Sequence, residues 1–499
     1  MLRIKKLKNF LFGEQSLRQT LFKNSFWLTV SNIGSSLLKA MIVIYAARAL
    51  GAEEYGFFSY AISIAATFTI FSDLGLNYLI TINLVRKDEA HEAYFSTLMA
   101  LRVGLLVTII ALTIAVGPFI TKFPEARLLI PLVALLFASD DMRALLNTAA
   151  RAENRMDKEA FGYIITSLLI LVLSLIGLRY SHTSYMLTLM YLMGSVMGTF
   201  LVFLAVKKNI KAIFRSFRFN LRLAKGILAE AIPYGFATAM WAFMINTDML
   251  LVGWFRSAIE LGYYAAAQRP ISILFIIPGV LFASSFTIVG RLAKEGASDR
   301  LRILTERLTV FTIAVVLPVA VGGIIIAPSI IHFLYGAAYA PAVLPFALLF
   351  LTLIISYPAS IVSTLILAHK RRKAYTFAMV AGAIGNVIFD LILIPPFGIA
   401  GSVAATIMAL IIINGYMWYE AKKIQPFTIL PFLPRIAMAT LSMGIVTLAL
   451  RLVMVNFFLN IIISAAVYLG LLIITREPLL KELKELLPRS NTKAERSPS

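Results

Sequence analysis

Lys39, Arg102, Arg143, Arg269 and Arg451, together with Asp73, Asp140, Asp141 and Asp248, stand inside long apolar runs of this 499-residue chain. An ionisable group at the centre of a membrane span costs about 2.5 to 3.5 kcal/mol on the insertion scale, so each predicts a partner or a wet cavity. The chemistry on offer depends on the sign. Lysine and arginine bring charge and strong donors to a desolvated anion, phosphate above all. Carboxylates in the same setting hold a proton or a sodium ion, and Asp248 and Asp73 are the candidates for that role. At a rise of about 1.5 Å per residue, Lys39, Asp248 and Arg269 fall toward the outer half of their helices. Asp73, Arg102, Asp140, Asp141 and Arg143 fall toward the inner half. Lys39 and Arg269 are therefore expected to attract an anion, with Arg102 and Arg143 as further cations of the cavity. Asp248 would compete for Lys39 while the site is empty. Internal salt bridging is the alternative for any one of these residues. It is favoured for the inner group, where Asp73 and Arg102 can pair between the second and third helices. Arg48, which closes the first helix, is expected either to cap it and contact lipid headgroups or to act in gating. Arg451 has no partner legible in the sequence.

Helices must carry these groups. The apolar runs 24–47, 55–84, 93–117, 128–150, 160–180, 185–206, 226–255, 262–289, 308–334, 343–368, 374–394, 399–421, 435–456 and 458–475 are separated by short polar breaks. A crossing needs roughly 20 residues, so the pattern predicts an all-α polytopic membrane protein of about 14 transmembrane helices. With 60% hydrophobic and 14% charged residues, a soluble globular chain is excluded. The basic segment 1–23 precedes an apolar run with no small-residue cleavage site close behind it, which predicts a retained first helix. Most of the 46 Lys and Arg fall in alternate connections on one side. That asymmetry puts both termini in the cytoplasm of a multi-pass cell-membrane protein.

The formal charge of +21 is spread over every cytoplasmic connection, with no aromatic platform for base stacking. Topology and contact with anionic membrane lipids account for it, and no nucleic-acid partner is expected. The absence of cysteine removes disulfides and thiol-bound metals, while four scattered histidines lack metal-ligand spacing. No cofactor is expected. The outward connections are too short to hold a catalytic site, and no nucleotide-binding or nucleophile motif appears, so an enzyme is not expected.

Sliding the chain against itself by 206 residues brings Glu54, Gly56, Phe57, Phe58 and Ala61 onto Glu260, Gly262, Tyr263, Tyr264 and Ala267. Six expected helices separate the copies, and an even number preserves direction. The halves are thus expected to be related by an axis along the membrane normal, with a central cavity between two bundles. The organisation that follows is a basic cytoplasmic segment 1–23, an N-terminal six-helix bundle 24–206 and a basic linker 207–225. A C-terminal six-helix bundle 226–421, an accessory helix pair 435–475 and an amphipathic then polar tail 476–499 complete it. Pro270, Pro278, Pro318, Pro328, Pro345 and Pro358 concentrate in the second half, which is the better candidate for bending.

The stretches Ala47-Arg48-Ala49-Leu50-Gly51, Glu54-Tyr55-Gly56-Phe57-Phe58-Ser59-Tyr60-Ala61 and Asp73-Leu74-Gly75-Leu76-Asn77 carry a family resemblance. The chain resembles the polysaccharide transporter family, the Wzx-type oligosaccharide flippases of the multidrug/oligosaccharidyl-lipid/polysaccharide exporter superfamily. The resemblance extends to length, the six-plus-six repeat and the extra C-terminal pair. It implies flipping of an isoprenoid-pyrophosphate-linked oligosaccharide from the cytoplasmic to the outer leaflet, by alternating access, for cell-surface glycan assembly. The partners implied are that lipid-linked oligosaccharide, membrane lipids and glycan polymerase or ligase machinery. On this footing the anion for Lys39 and Arg269 is the pyrophosphate. A lipid II flippase shares the chemistry and remains an alternative, as does a cation-coupled multidrug exporter, although the predominance of Lys39, Arg102, Arg143 and Arg269 in the spans favours an anionic cargo.

Overall fold

A computed structural model describes residues 17–83, 89–152, 155–213 and 219–474. They are helical, joined by short turns, with no strand among them. The expected tail 476–499, most of the segment 1–23 and part of the basic linker lie outside the described residues. In chain order the helices are α1 (Leu17–Asp73), α2 (Leu76–Asn83), α3 (Glu89–Ile120), α4 (Pro124–Ala152), α5 (Met156–Tyr180), α6 (Ser184–Ile213) and α7 (Leu221–Phe255). They continue with α8 (Ala258–Leu274), α9 (Ile276–Glu295), α10 (Ser298–Tyr335), α11 (Val343–Ala368), α12 (Arg372–Ile424), α13 (Leu433–Leu452) and α14 (Phe457–Ile474).

Ten stretches among the described residues are long and apolar enough to cross a bilayer. Helix α4 is not one of them, because Asp140, Asp141 and Arg143 crowd into a helix that is otherwise long enough. The two longest helices are α1 with 57 residues, which holds the first expected span and most of the second, and α12 with 53, which holds two. Each breaks at one glycine, Gly51 with φ 76° and Gly398 with φ 61°. These positive φ values strain any residue with a Cβ, so a single glycine reverses the chain where the sequence suggests a longer connection. The expected span 262–289 is instead divided at Phe275 into α8 and α9, between Pro270 and Pro278. Each proline removes a helical hydrogen bond there, which accounts for the interruption.

By contacts the chain forms two compact units. One comprises Met1–Ile273, Leu334–Pro345 and Met379–Ala409; the other comprises Leu274–Phe333, Phe346–Ala378 and Leu410–Ser499.

The first unit buries Leu76, Leu79, Ile80, Leu98, Met99, Leu145, Ile227 and Ala231 in one cluster joining α2, α3, α4 and α7. It also contains a reciprocal contact. A Cβ placed on Gly56 would overlap the Ala258 carbonyl, and one on Gly262 would overlap the Ala52 carbonyl. Gly56 and Gly262, like Ala52 and Ala258, are 206 residues apart, so the contact maps onto itself when the repeats are exchanged. That is what a two-fold relation between α1 and α8 requires.

In the second unit, α13 and α14 pack through Ala439, Met443, Tyr468 and Leu472. Small polar side chains add hydrogen bonds: Thr447 Oγ1 donates to Ser464 Oγ at 2.8 Å, Ser464 to Asn460 Oδ1 at 3.0 Å, and Asn460 Nδ2 to the Thr447 carbonyl at 3.1 Å. Such groups have no water to turn to in hydrocarbon, which makes them adhesive between helices. Tyr468 donates to the Ala314 carbonyl at 2.6 Å and Arg451 to the Ile325 carbonyl at 2.7 Å, tying the pair to α10. Arg451, whose partner the sequence leaves open, is thus bound to backbone. An apolar cavity of about 500 Å³ lies beside these helices, lined among others by Pro318, Gly322, Phe350, Met443 and Leu472. Outward, both units present large apolar side chains such as Phe119, Leu128, Ile445 and Ile473, the surface a lipid-embedded protein needs.

Candidate functional site: a cationic and an acidic cluster

Three of the four cations expected to bind substrate fall into one electrostatic neighbourhood of the first unit. Lys39 on α1 feels Asp140 and Arg143 of α4 and Arg269 of α8. Asp140 and Arg143 are three residues apart on one helix face, which puts Arg143 Nη2 2.9 Å from Asp140 Oδ1. Ser195 on α6 donates to the same carboxylate oxygen at 2.6 Å and accepts from Arg143 Nη1 at 3.4 Å. Arg143 also lies 6.0 Å from the Tyr163 ring centroid, within cation–π range. Accessibility grades across the cluster. Lys39 is exposed, Asp140 and Arg269 are half-buried and Arg143 is buried. The ammonium and the Asp140 carboxylate are thus more accessible than the Arg143 guanidinium.

Arg102 is placed elsewhere. Its side chain is 1% exposed. The guanidinium donates to the Ser72 carbonyl and, at 3.1 Å, to Ser72 Oγ. It lies 3.3 Å from Asp141 Oδ2 and 3.9 Å from Asp73 Oδ1. Ser72 in turn donates to Asp141 at 2.9 Å, and Asp73 accepts from the Asn77 backbone N–H at 2.9 Å as the chain restarts in α2. These bonds fasten the end of α1 to α3 and α4, the pairing the sequence suggests for Asp73 and Arg102. Neighbouring carboxylates on α4 therefore serve different partners, Asp141 for Arg102 and Asp140 for the Lys39 group.

Asp248, expected opposite Lys39, is engaged with other helices. Tyr264 Oη and Thr406 Oγ1 both donate to its Oδ2, at 2.9 and 2.7 Å. The Asp390 carboxyl and Asn386 neighbour it, and Ser402 lies beside Asp390. Asp248, Tyr264, Asn386, Asp390 and Ser402 are all buried. Asp248 Oδ1, both Asp390 oxygens, both Asn386 side-chain polar atoms and Ser402 Oγ have no hydrogen-bond partner. Two ionised carboxylates side by side in a dry interior lose several kcal/mol unless something positive sits between them. Oxygen donors of this kind suit a hard monovalent cation or a proton. Asn386, Asp390, Ser402 and Thr406 do not stand out among the intramembrane charges of the sequence, yet a local signal marks them. Asn386 and Asp390 are four residues apart in an apolar run, as are Ser402 and Thr406 after the Gly398 break, so each pair shares a helix face.

Outside these clusters, cations close helix ends. Arg48 Nε donates to the Leu334 carbonyl at 2.7 Å, while Tyr339 Oη donates to the Ala47 carbonyl at 2.7 Å. Lys122 donates to the Trp254 and Arg256 carbonyls, both at 2.9 Å. Arg256 reaches the Ile394 carbonyl at 2.9 Å and that of Pro395 at 2.8 Å. Arg48, Lys122 and Arg256 thus neutralise carbonyls left unpaired near helix C-termini. Among the described residues no group of three or more His, Cys, Asp or Glu converges on a metal position.

Residues 21–289, more than half of the chain, match the family described as polysaccharide biosynthesis protein. The chain belongs to that family. Within it and around it, similar proteins include a probable flippase, AglR, of Haloferax volcanii, 21% identical over 76% of this chain and 79% of its own length. The capsular polysaccharide biosynthesis protein CapF of Staphylococcus aureus is 22% identical over 80% and 98%. The fold is that of the lipid II flippase MurJ in an inward closed conformation, with a TM-score of 0.73 at 19% identity over 91% of this chain and 99% of that one. An inward-facing multidrug resistance MATE transporter of the MOP superfamily gives 0.58 at 16% identity over 84% and 98%. The expected superfamily and the all-helical membrane fold are therefore borne out, and the chain is a multi-pass membrane protein of the polysaccharide exporter superfamily.

Proposed function

We propose that this family member is a flippase that carries an isoprenoid-pyrophosphate-linked oligosaccharide from the cytoplasmic to the outer leaflet of the cell membrane, with both termini cytoplasmic. The observation that supports the reading is that Lys39, Arg143 and Arg269, from three different helices, fall in one electrostatic neighbourhood with Lys39 exposed. Three cations against the single carboxylate of Asp140 repel one another, and an anionic ligand would relieve that repulsion. Protein surrounds Lys39 on most sides while leaving it accessible, as a cavity wall would. The pyrophosphate binds Lys39 and Arg269 directly and Arg143 from behind. The glycan stays in the aqueous cavity while the isoprenoid stays in hydrocarbon, and the bundles rock around them. Arg102 serves the fold of the first unit.

The acidic cluster supplies the coupling. Asp248 and Asp390, with Asn386 and Thr406, hold a monovalent cation or a proton, and its occupancy shifts the balance between the two facing states. A bound cation satisfies the oxygens that otherwise have no partner. The names of AglR and CapF support glycan chemistry. Glycan polymerase or ligase machinery would consume the product. The likeness to MurJ keeps lipid II as a second cargo of the same chemistry.

The test is translocation in liposomes of a short isoprenoid-pyrophosphate-linked saccharide, followed by its accessibility to an external glycan-modifying enzyme. The reading requires protein-dependent exposure of the saccharide. Drug or ion exchange in the same vesicles, without exposure of any lipid-linked saccharide, would replace it with the multidrug alternative.

A further inference from the structure

The cationic cluster contains one carboxylate, and its position is not that of a simple structural partner. Asp140 Oδ1 receives Arg143 Nη2 at 2.9 Å and Ser195 Oγ at 2.6 Å. It is the group nearest in effect to Lys39 that carries the opposite charge. Its side chain is 36% exposed where that of Arg143 is 7% exposed, so the carboxylate is the more accessible member of the pair. Arg143 Nε is buried with no hydrogen-bond partner, so this guanidinium is incompletely satisfied even with Asp140 in place.

The charges can be balanced. Lys39, Arg143 and Arg269 against Asp140 leave two positive charges uncompensated. A pyrophosphate esterified at both ends, with isoprenoid on one phosphorus and sugar on the other, is a dianion. The same carrier without its sugar has a free terminal phosphate, whose second ionisation falls near pH 6, and so approaches a trianion at neutral pH. An acidic residue facing the ligand opposes the additional charge and leaves the dianion matched. Discrimination of this kind rests on a repulsive element as much as on attractive ones.

We propose that Asp140 is the charge-selecting residue of the cationic site, tuning it to a diphosphate diester and against a diphosphate monoester. In functional terms it favours the glycosylated carrier over the spent one. The inference rests on the flippase reading of the Lys39–Arg143–Arg269 site and adds what sets its selectivity. Ser195 holds the carboxylate toward the ligand and is a positioning residue.

The experiment measures the affinity of purified, detergent-solubilised protein for two probes: a short-chain prenyl diphosphate and the same molecule glycosylated on its terminal phosphate. Wild type should prefer the glycosylated probe. Asp140→Asn keeps the size and the hydrogen-bonding capacity toward Ser195 but removes the charge, and should shift the preference by about tenfold, or about 1.4 kcal/mol, toward the monoester. Asp140→Glu should retain the wild-type preference. The double variant Arg143→Gln/Asp140→Asn removes one charge of each sign, keeps the net balance, and should also retain it. Asp140→Asn keeps an Oδ1 acceptor for Arg143 and Ser195, and the double variant also removes the buried guanidinium, so a shift present in the first and absent in the second reports charge and not misfolding. An unchanged ratio in Asp140→Asn overturns the proposal. So does a double variant that shifts toward the monoester as far as the single one. Failure of wild type to bind either probe would instead overturn the flippase reading beneath it, and the proposal with it.

Discussion

The two polar clusters of the first unit are built on opposite plans. Around Lys39 the charges are accessible, mostly positive, and partly compensated from within by Asp140. Around Asp248 they are buried and negative, and six polar atoms of the cluster have no partner. An accessible, partly compensated cluster can receive a large hydrated anion without first breaking its own structure. A buried pair of carboxylates with unpartnered oxygens offers ligands to one small positive ion. On the reading proposed above, cargo is read at the cations and energy is coupled at the carboxylates. Neither cluster alone would give directed transport.

The largest effect expected is from Lys39→Ala/Arg269→Ala. Removing two charge-assisted contacts, each worth roughly 1.5 to 3 kcal/mol, should weaken binding of a glycosylated prenyl diphosphate by about 100-fold or more. The thermal stabilisation that the protein gains from its coupling cation should survive. Asp390→Asn should act in the reverse sense. Wild type titrated with sodium, or transferred to acid if the ion is a proton, should gain up to about 2.7 kcal/mol of stability at an ion concentration 100 times Kd. The variant should lose that gain, because an amide replaces one of the two carboxylates that would hold the ion. Diphosphate binding should persist. A smaller change, Tyr264→Phe, removes one donor to Asp248 and should weaken the cation response by about five- to tenfold, corresponding to about 1 kcal/mol. At the small end, Arg451→Gln deprives the Ile325 carbonyl of its donor and should cost about 1 kcal/mol of stability, read as a lower melting temperature, with both clusters' ligand responses intact.

Much of this arrangement is legible in the sequence, in proportion to how local its cause is. An ionisable residue in an apolar run announces itself, which is how Lys39, Arg143, Arg269 and Asp248 stand out. The reversals at Gly51 and Gly398 are likewise marked by turn residues between spans, although their compression into one positive-φ glycine depends on tertiary packing. Partnerships are less legible. Lys39 and Asp248 are expected to meet because the 206-residue shift gives them similar depth, but depth fixes height along a helix and not direction around it. Each residue rotates the side chain by about 100°, so equal height leaves most azimuths open. Asp248 turns toward α8 and α12, and Lys39 toward α4. Arg102 reads like the other intramembrane cations, and its burial against Ser72, Asp141 and Asp73 follows from packing among α1, α3 and α4. Asp390 lies 142 positions beyond Asp248 in a run that looks uniformly apolar, and its four-residue spacing from Asn386 is the local clue.

The most direct test of the division of labour is a crossed pair of measurements on Lys39→Ala/Arg269→Ala and Asp390→Asn: affinity for the glycosylated prenyl diphosphate, and thermal stabilisation by sodium or acid. The account predicts that the first variant loses the affinity and keeps the stabilisation, while the second keeps the affinity and loses the stabilisation. If Asp390→Asn binds the diphosphate as poorly as Lys39→Ala/Arg269→Ala, or if both retain full affinity, the two clusters do not divide cargo from coupling.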